Sequence, residues 1–170
     1  MGAGFCDALG LGCSSKASIV REGLHEIAEF CKLFYKDFDQ NTMLESCGIS
    51  DIVATAFGGR NRKVSEEFGR RLLAMAPILD VEVKDEDEQS KELRLKMLWD
   101  QVEKDLLNGQ KMQGLGTLIE VISCLDAYQL KYDCDLKHGN HNHYNGRFPL
   151  FYRIMEISTQ GAKLQTLFDW

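Results

Sequence analysis

Apolar side chains recur at steps of three and four residues along most of this 170-residue chain. That spacing places them on one face of a helix, whereas a half-buried strand alternates every two residues. The clearest run covers residues 16–35, and we expect Ser14 or Ser15 to cap the first turn of a helix there. The apolar positions of this run are Ile19, Val20, Leu24, Ile27, Phe30, Cys31 and Phe34.

The same spacing predicts further helices beyond the first, and no segment shows the pattern of a strand. Pro149 suits the first turn of the last helix, and Pro77 is expected to end an earlier one. Ahead of them all, the glycine-rich stretch 1–12 is typical of a loop. We therefore predict an all-α fold with six or seven helices. The later helices are expected at about 42–57, 61–75, 93–107 and 115–130, and from 149 onward.

The length and composition indicate a single folded domain, 1–170. A content of 44% hydrophobic and 27% charged residues is ordinary for a globular protein. Two polar stretches interrupt the helical pattern: an acidic one at about 78–93 and a histidine-rich one at about 132–147. We expect both to be insertions that form surface loops.

Charge and cysteine usage narrow the possible partners and compartment. The formal charge is −6 and the isoelectric point is near 5.2, which argues against a broad nucleic-acid surface. No apolar run approaches the roughly 18 residues that a membrane span needs. Six cysteines are scattered without a C-x-x-C pair, and no secretory signal precedes them. We expect a cytoplasmic protein with reduced thiols that binds neither nucleic acid nor membrane.

Asp51 and Thr55 are four residues apart, so they lie one above the other on a predicted helix. A carboxylate beside a hydroxyl could hold a hydrogen-bond network that orients a neighbouring acid. The structural alternative is that Asp51 caps the helix and that Thr55 bonds back to its own backbone. The pair alone leaves both possibilities open.

The next stretch combines several features of an anion site. Gly58 and Gly59 allow positive φ and close approach of the backbone to a ligand. A helix then starts near Asn61, where its free N–H groups favour an anion, and the guanidinium of Arg60 suits a phosphate. Residues 58–71 hold five basic and two acidic side chains in a chain of charge −6. The alternative is a glycine turn before a solvated basic helix start.

The turn at 108–114 is rich in amide groups and contains Lys111. Such a turn can clamp a phosphate or an amide of a cofactor. It can equally be an ordinary Asn-Gly helix stop, and composition alone favours that interpretation.

Three histidines within six residues, His138, His141 and His143, follow Cys134. Zinc takes such ligands, but the spacing matches no structural zinc finger. We therefore predict surface histidines and no metal site. A zinc-binding helical module stays open as an alternative.

Several of these stretches occur together in one order that covers nearly the whole chain. They include GAGFCDALGLG at 2–12, GGRNRKV at 58–64, LLNGQKMQG at 106–114 and FPLF at 148–151. Shorter stretches at 16–17, 44–48 and 51–55 complete the series. Together they resemble the C-terminal half of eukaryotic-type NAD-dependent glycerol-3-phosphate dehydrogenase.

The resemblance implies hydride transfer between NAD and C2 of the substrate, which interconverts dihydroxyacetone phosphate and sn-glycerol 3-phosphate. It implies an all-α substrate domain whose partner is an N-terminal Rossmann domain, with the active site in the cleft between them. A homodimer is expected. These are properties of the family that the chain resembles.

Specific residues acquire roles by the same resemblance. Arg60 and Asn61, with Gly59 beside them, would bind the substrate phosphate. Asp51 and Thr55 would line the carbonyl site and orient the catalytic lysine.

Arg60 would also lie near the dinucleotide, and Lys111 and Gln113 would touch the NAD. In the family, the general-acid lysine lies a few residues before the stretch that opens this chain, and the glycine-rich phosphate loop belongs to the Rossmann half. The 170 residues are therefore expected to be inactive alone. The alternative is a non-catalytic remnant that binds phosphate or pairs with the intact enzyme.

Overall fold

Helices form all the regular structure in the ranges that the computed structural model describes, namely 1–82, 87–133 and 147–169. This confirms the all-α prediction. Short 3-10 and π turns at Gln40–Leu44 and Ser46–Ser50 precede α3, and two more at Glu156–Gln160 and Leu164–Phe168 follow α7. The α-helices are α1 (Gly2–Ala8), α2 (Cys13–Phe34), α3 (Asp51–Gly58), α4 (Arg60–Glu82), α5 (Glu88–Leu107), α6 (Gly114–Asp133) and α7 (Pro149–Met155).

The glycine-rich start of the chain is a buried helix, so the prediction of a loop is wrong. Residues 2–6 are all buried in α1. The glycines serve packing: a Cβ at Gly4 would overlap the carbonyl oxygen of Arg62 and lie 2.8 Å from the backbone nitrogen of Glu66. Tertiary contact with α4 therefore overrides the low helix propensity of glycine.

A cluster of ion pairs joins α1 to both α2 and α4. The Asp7 carboxylate lies 2.6 Å from Nε of Arg62 on α4 and 2.5 Å from Nζ of Lys16 on α2. Burial opposes ionisation of Asp7, but the hydrogen bonds from Lys16 and Arg62 outweigh it and hold its pKa below the ordinary value. Since these partners are themselves largely covered, α1, α2 and α4 are fixed by charge as well as by packing.

The aromatic part of the core joins α1, α4 and α5. Phe68 and Trp99 stack with ring centroids 3.7 Å apart, and Phe5 lies 6.3 Å from the Phe68 ring. The indole N–H of Trp99 donates to the carbonyl of Ser158 at 3.0 Å. Phe68 and its neighbour on the same face of α4, Val64, are both fully buried in this core.

Two predicted helix boundaries are wrong. Ser14 and Ser15 lie inside the first turn of α2, which starts at Cys13 after Gly12 without a side-chain cap. Gly10 adopts a φ of 67°, and this left-handed turn lets α2 begin directly after α1.

Pro77 does not end α4, which continues through it to Glu82. Pro77 removes one backbone hydrogen bond, which a long helix can tolerate. The acidic stretch at about 78–93 was predicted to be a loop, but its first residues belong to α4 and its last residues belong to α5. After residues 83–86, which lie outside the described ranges, Asp87 caps α5 by accepting from the backbone N–H of Ser90 at 2.9 Å. Most of the histidine-rich stretch, 134–146, also lies outside the described ranges.

A buried carboxylate anchors the last α-helix. Glu26 on α2 is fully buried, and its two oxygens accept from the backbone N–H groups of Leu150 and Phe151 at 2.7 and 2.9 Å. Burial raises the pKa of Glu26 to about 7, although the two backbone hydrogen bonds act in the opposite direction. The start of α7 is therefore held by a group that is costly to ionise.

Replacing Gly4 with alanine should destabilise the chain by about 1–3 kcal/mol or more, because the new Cβ meets backbone atoms of α4 that cannot move aside. Gly116→Ala is the matched control, since nothing lies within 4 Å of a Cβ at that helical position. It should be neutral or slightly stabilising. Urea unfolding measures both variants, and equal stabilities would contradict the packing role of Gly4.

The contribution of Glu26 to the stability of the chain should fall as the pH rises from 4.5 towards 7. In that range the unfolded chain ionises Glu26 while the folded chain, with its pKa near 7, still holds the proton. The contribution of this one group is about 3 kcal/mol at most. Glu26→Gln should flatten the dependence in urea unfolding between pH 5 and pH 7.5. Glu120→Gln, which changes an exposed carboxylate, should leave it unchanged, and equal slopes in all three proteins would refute the assignment.

Candidate functional site

The beginnings of α1 and α4 meet α2, α3 and α7 around a cavity of about 270 Å³. Asp51, Thr55 and Asn61 all line it, so the fold brings together three of the residues that the sequence singled out. Arg62 adds a fourth polar side chain. The apolar part of the lining includes Ile19, Val20, Ile52, Leu150, Phe151 and Ile154.

The helix that carries Asp51 and Thr55 lies at the surface. Only Ala56 of α3 is buried. The apolar spacing of the helix predicted at 42–57 would also place Val53 and Phe57 inward, but they are 40% and 60% exposed. An eight-residue helix that packs along one narrow stripe leaves its remaining apolar side chains outside.

The Thr55 hydroxyl forms its hydrogen bonds with the backbone of its own helix. Its Oγ1 donates to the backbone carbonyls of Asp51 at 2.8 Å and Ile52 at 3.2 Å, as the structural alternative for this residue predicted. Asp51 is the first residue of α3, and no side-chain hydrogen bond caps that helix start, so the same alternative is wrong for Asp51. The Asp51 carboxylate also lines a neighbouring cavity of about 230 Å³, so it stands between two concave surfaces.

Gly59 is required for a reason other than the one expected. Its φ is −66°, so the prediction of a positive φ at this pair of glycines is wrong. A Cβ at Gly59 would instead lie 2.5 Å from the carbonyl oxygen of Thr55. Because Gly59 has no side chain, it alone can separate the end of α3 from the start of α4, and Asn61 and Thr55 then line the same cavity.

Arg60 and Asn61 both point towards the turn between α5 and α6. The Arg60 guanidinium donates to the side-chain carbonyl of Gln110 at 3.3 Å, and Arg60 is not among the residues that line the 270 Å³ cavity. The amide oxygen of Asn61 accepts from the backbone N–H of Gly114 at 3.2 Å. Asn61 therefore faces the cavity and braces the first turn of α6.

The turn itself is a left-handed helix stop, as one of the two interpretations predicted. Asn108 and Gly109 have φ values of 47° and 86°, and α5 ends at Leu107. Asparagine and glycine are the residues that adopt this conformation most easily. The reversal brings Lys111 back alongside the last turns of α5.

Lys111 and Gln113 line a second and larger cavity, of about 590 Å³, between α5, α6 and the Glu156–Gln160 turn. The Lys111 ammonium lies 3.0 Å from the Glu103 carboxylate, and this contact raises the pKa of Lys111 above its ordinary value. The other oxygen of Glu103 accepts from the backbone N–H of Met112 at 2.6 Å.

Two residues at this site were missed by the sequence analysis. Gln110 stands directly before Lys111 in the quoted stretch, so its position could have suggested a role. Glu103 has no such signal, because its contacts span eight and nine residues and follow no helical spacing.

Three exposed side chains near the 108–114 turn carry hydrogen-bond donors that could contact one side of a dinucleotide. Arg60, Lys111 and Gln113 are exposed and offer guanidinium, ammonium and amide N–H groups, which suit phosphate and amide oxygens. Within the described ranges there is no strand, and so no strand–turn–helix loop for the pyrophosphate. These residues can contact such a cofactor but do not form a complete site for it.

Neither a metal centre nor a membrane span is found in the described part of the chain. The described residues contain no group of three or more histidine, cysteine or acidic side chains placed to hold a metal ion. The predicted candidates, Cys134, His138, His141 and His143, lie outside the described ranges. Among the helices described, none has the length and apolar character needed to cross a bilayer.

Comparison with known proteins gives a consistent result. A family model described as "NAD-dependent glycerol-3-phosphate dehydrogenase C-terminus" matches residues 1–169. The chain is 36% identical over 162 residues to a Homo sapiens protein named "Glycerol-3-phosphate dehydrogenase [NAD(+)], cytoplasmic". The aligned region covers 95% of this chain and 36% of that protein. A Drosophila ezoana protein of the same name is 34% identical over 171 residues, with 99% of this chain and 37% of that protein covered.

A solved structure also resembles the fold of this chain. The structure titled "Structure of DsGPDH of Dunaliella salina" superimposes with a TM-score of 0.71 at 34% identity, over 98% of this chain and 25% of that one. The chain thus spans about a third of the length of the curated relatives it matches.

Proposed function

Because the chain belongs to the family of NAD-dependent glycerol-3-phosphate dehydrogenase C-terminal domains, we propose that it binds dihydroxyacetone phosphate and sn-glycerol 3-phosphate. The observation that carries this proposal is the shared cavity of Asp51, Thr55 and Asn61. A volume of about 270 Å³ suits a small phosphate ester, and its lining combines apolar walls with few polar groups.

The phosphate end of the substrate is assigned to the start of α4. The first N–H groups of this long helix and its positive dipole end favour an anion. Asn61 uses its amide oxygen on Gly114, which leaves the amide N–H groups to donate to a phosphate. Arg60 does not line the cavity and bonds to Gln110, so it would supply positive charge to the phosphate by turning from Gln110 towards Asn61.

The carbonyl end is assigned to Asp51 and Thr55. Since the Thr55 hydroxyl donates its proton to backbone carbonyls, its oxygen is left to accept a hydrogen bond. The Asp51 carboxylate can hold an ammonium group by charge. Met1 and Gly2 line the same cavity, so the family's lysine, which precedes this stretch, would enter beside Asp51 and donate a proton to the carbonyl oxygen.

The cofactor is assigned to the edge of the site formed by Arg60, Lys111 and Gln113. Bound NAD supplies or accepts the hydride at C2 of the substrate. Lys111 and Gln113 would orient it by hydrogen bonds from one side, and a Rossmann domain would hold its pyrophosphate from the other.

The exposed apolar side chains of α3 support docking of such a partner domain. Phe57 and Val53 are 60% and 40% exposed, and Leu44 and Tyr35 are exposed on neighbouring segments. Apolar surface of this kind marks an interaction site. The word "cytoplasmic" in the names of the relatives supports a cytoplasmic location for the whole enzyme. The family resemblance supports a homodimer.

Glycerol 3-phosphate should bind to this chain, and Arg60→Ala and Asn61→Ala should each weaken the affinity by about tenfold or more. That loss is expected when a hydrogen bond to a charged group is removed. Isothermal titration calorimetry measures it, and thermal melting confirms that each variant is folded.

Arg21→Ala is the matched control, because Arg21 is exposed and pairs with its neighbour Glu22. It should bind as the unchanged chain does. If all four proteins bound glycerol 3-phosphate equally, or none bound it, the substrate assignment would be wrong.

A further inference from the structure

Glu103 makes two contacts with the turn that follows α5. One carboxylate oxygen accepts from the backbone N–H of Met112 at 2.6 Å, and the other lies 3.0 Å from the Lys111 ammonium. The Glu103 side chain is only 13% exposed. A largely covered carboxylate at the end of α5 therefore holds two consecutive residues of the 108–113 turn.

The same turn is tied to the substrate side of the molecule at two other points. Gln110 accepts from Arg60, and Gly114, directly after the turn, donates to Asn61. Asn108 and Gly109 are in left-handed conformations, and the backbone N–H of Gln110 donates to the carbonyl of Leu107 at the end of α5. Glu103 adds the side-chain contacts that join the far side of the turn to α5. Its position therefore affects where Arg60 and Lys111 are held.

The two contacts of Glu103 differ in strength. Met112 is buried, and a hydrogen bond from its backbone N–H to a covered carboxylate is charge-assisted. Lys111 is 71% exposed, and an ion pair with so exposed a partner contributes little to stability. The ammonium can therefore leave Glu103 at small cost while the Met112 contact stays.

We propose that Glu103 is a positioning residue with two separable actions: it fixes the 108–113 turn through Met112, and it competes with a phosphate-bearing ligand for Lys111. The second action rests on the proposed function, in which Lys111 contacts a dinucleotide. Glu103 keeps the ammonium at the edge of the site until a ligand with higher negative charge replaces the carboxylate.

Amide hydrogen exchange, measured by NMR on the ligand-free chain, tests the first action. Glu103→Ala should speed the exchange of the Met112 amide by about tenfold or more, since its acceptor is lost. Glu103→Gln should restore most of the protection, because the side-chain carbonyl of glutamine can still accept. Equal exchange in the unchanged chain and in Glu103→Ala would overturn this action.

A titration with inorganic pyrophosphate tests the second action, with binding followed by the NMR signals of Lys111 and Arg60. Glu103→Gln should tighten the affinity by about two- to fivefold, because it removes a competing negative charge while the turn keeps its shape. A residue with a merely structural role would leave the affinity unchanged or weaken it, and either outcome would overturn the competition.

Glu88→Gln is the matched control for both measurements. Glu88 lies on the same helix and pairs with Lys91, but it does not contact the turn. It should change neither the Met112 exchange nor the pyrophosphate affinity. Because the exchange measurement needs no ligand, a failure of glycerol 3-phosphate to bind would refute the proposed function without altering this result.

Discussion

The backbone of Gly4 lies directly against the backbone of α4 at Arg62 and Glu66, and the geometry of the whole site depends on that contact. It sets where α4 begins, and the residues at that beginning are Arg60 and Asn61. The ion pairs of Asp7 with Arg62 and with Lys16 on α2 hold the same arrangement by charge. A side chain at position 4 would push α4 away and open the cavity.

A second set of contacts joins the start of α4 to the opposite side of the domain. Asn61 bonds to the first residue of α6, Arg60 bonds to Gln110, and Glu103 holds the turn that carries Gln110 and Lys111. The residues assigned to the substrate and those assigned to the cofactor are therefore parts of one hydrogen-bonded assembly. The contacts differ in burial: Arg60 and Gln110 are exposed, whereas Glu103 is largely covered and bonds to the buried Met112.

Much of the fold follows from local sequence patterns, because apolar spacing locates α2, α5 and α6. The predicted apolar face is only partly covered, since Ile27 and Phe34 of α2 are 38% and 39% exposed. The glycine-rich start could not be predicted in this way. Its helix exists because α4 covers it, and glycine alone signals a turn. For Val53 and Phe57 the apolar spacing indicates burial, but both side chains are exposed in this domain. Apolar spacing does not tell whether the surface that covers a side chain belongs to the same domain.

The candidate site was predictable to the extent that its chemistry lies in contiguous motifs. Asp51, Thr55 and Asn61 fall within a short stretch, and the fold places them around one cavity. Glu103 was not predictable, because a carboxylate near a helix end is common and only the turn that follows gives it partners. The reason for Gly59 was also hidden, since a close approach between neighbouring helices leaves no mark on the sequence beyond the glycine itself.

The most direct measurement is an NMR titration of the isotope-labelled chain with glycerol 3-phosphate, with the backbone amides assigned. If the start of α4 and the first turn of α3 form the substrate site, the largest shifts will fall on the amides of residues 51–63 and on those of α1 that face the cavity. Shifts that cluster on a surface remote from that cavity, or no shifts at all, would contradict it.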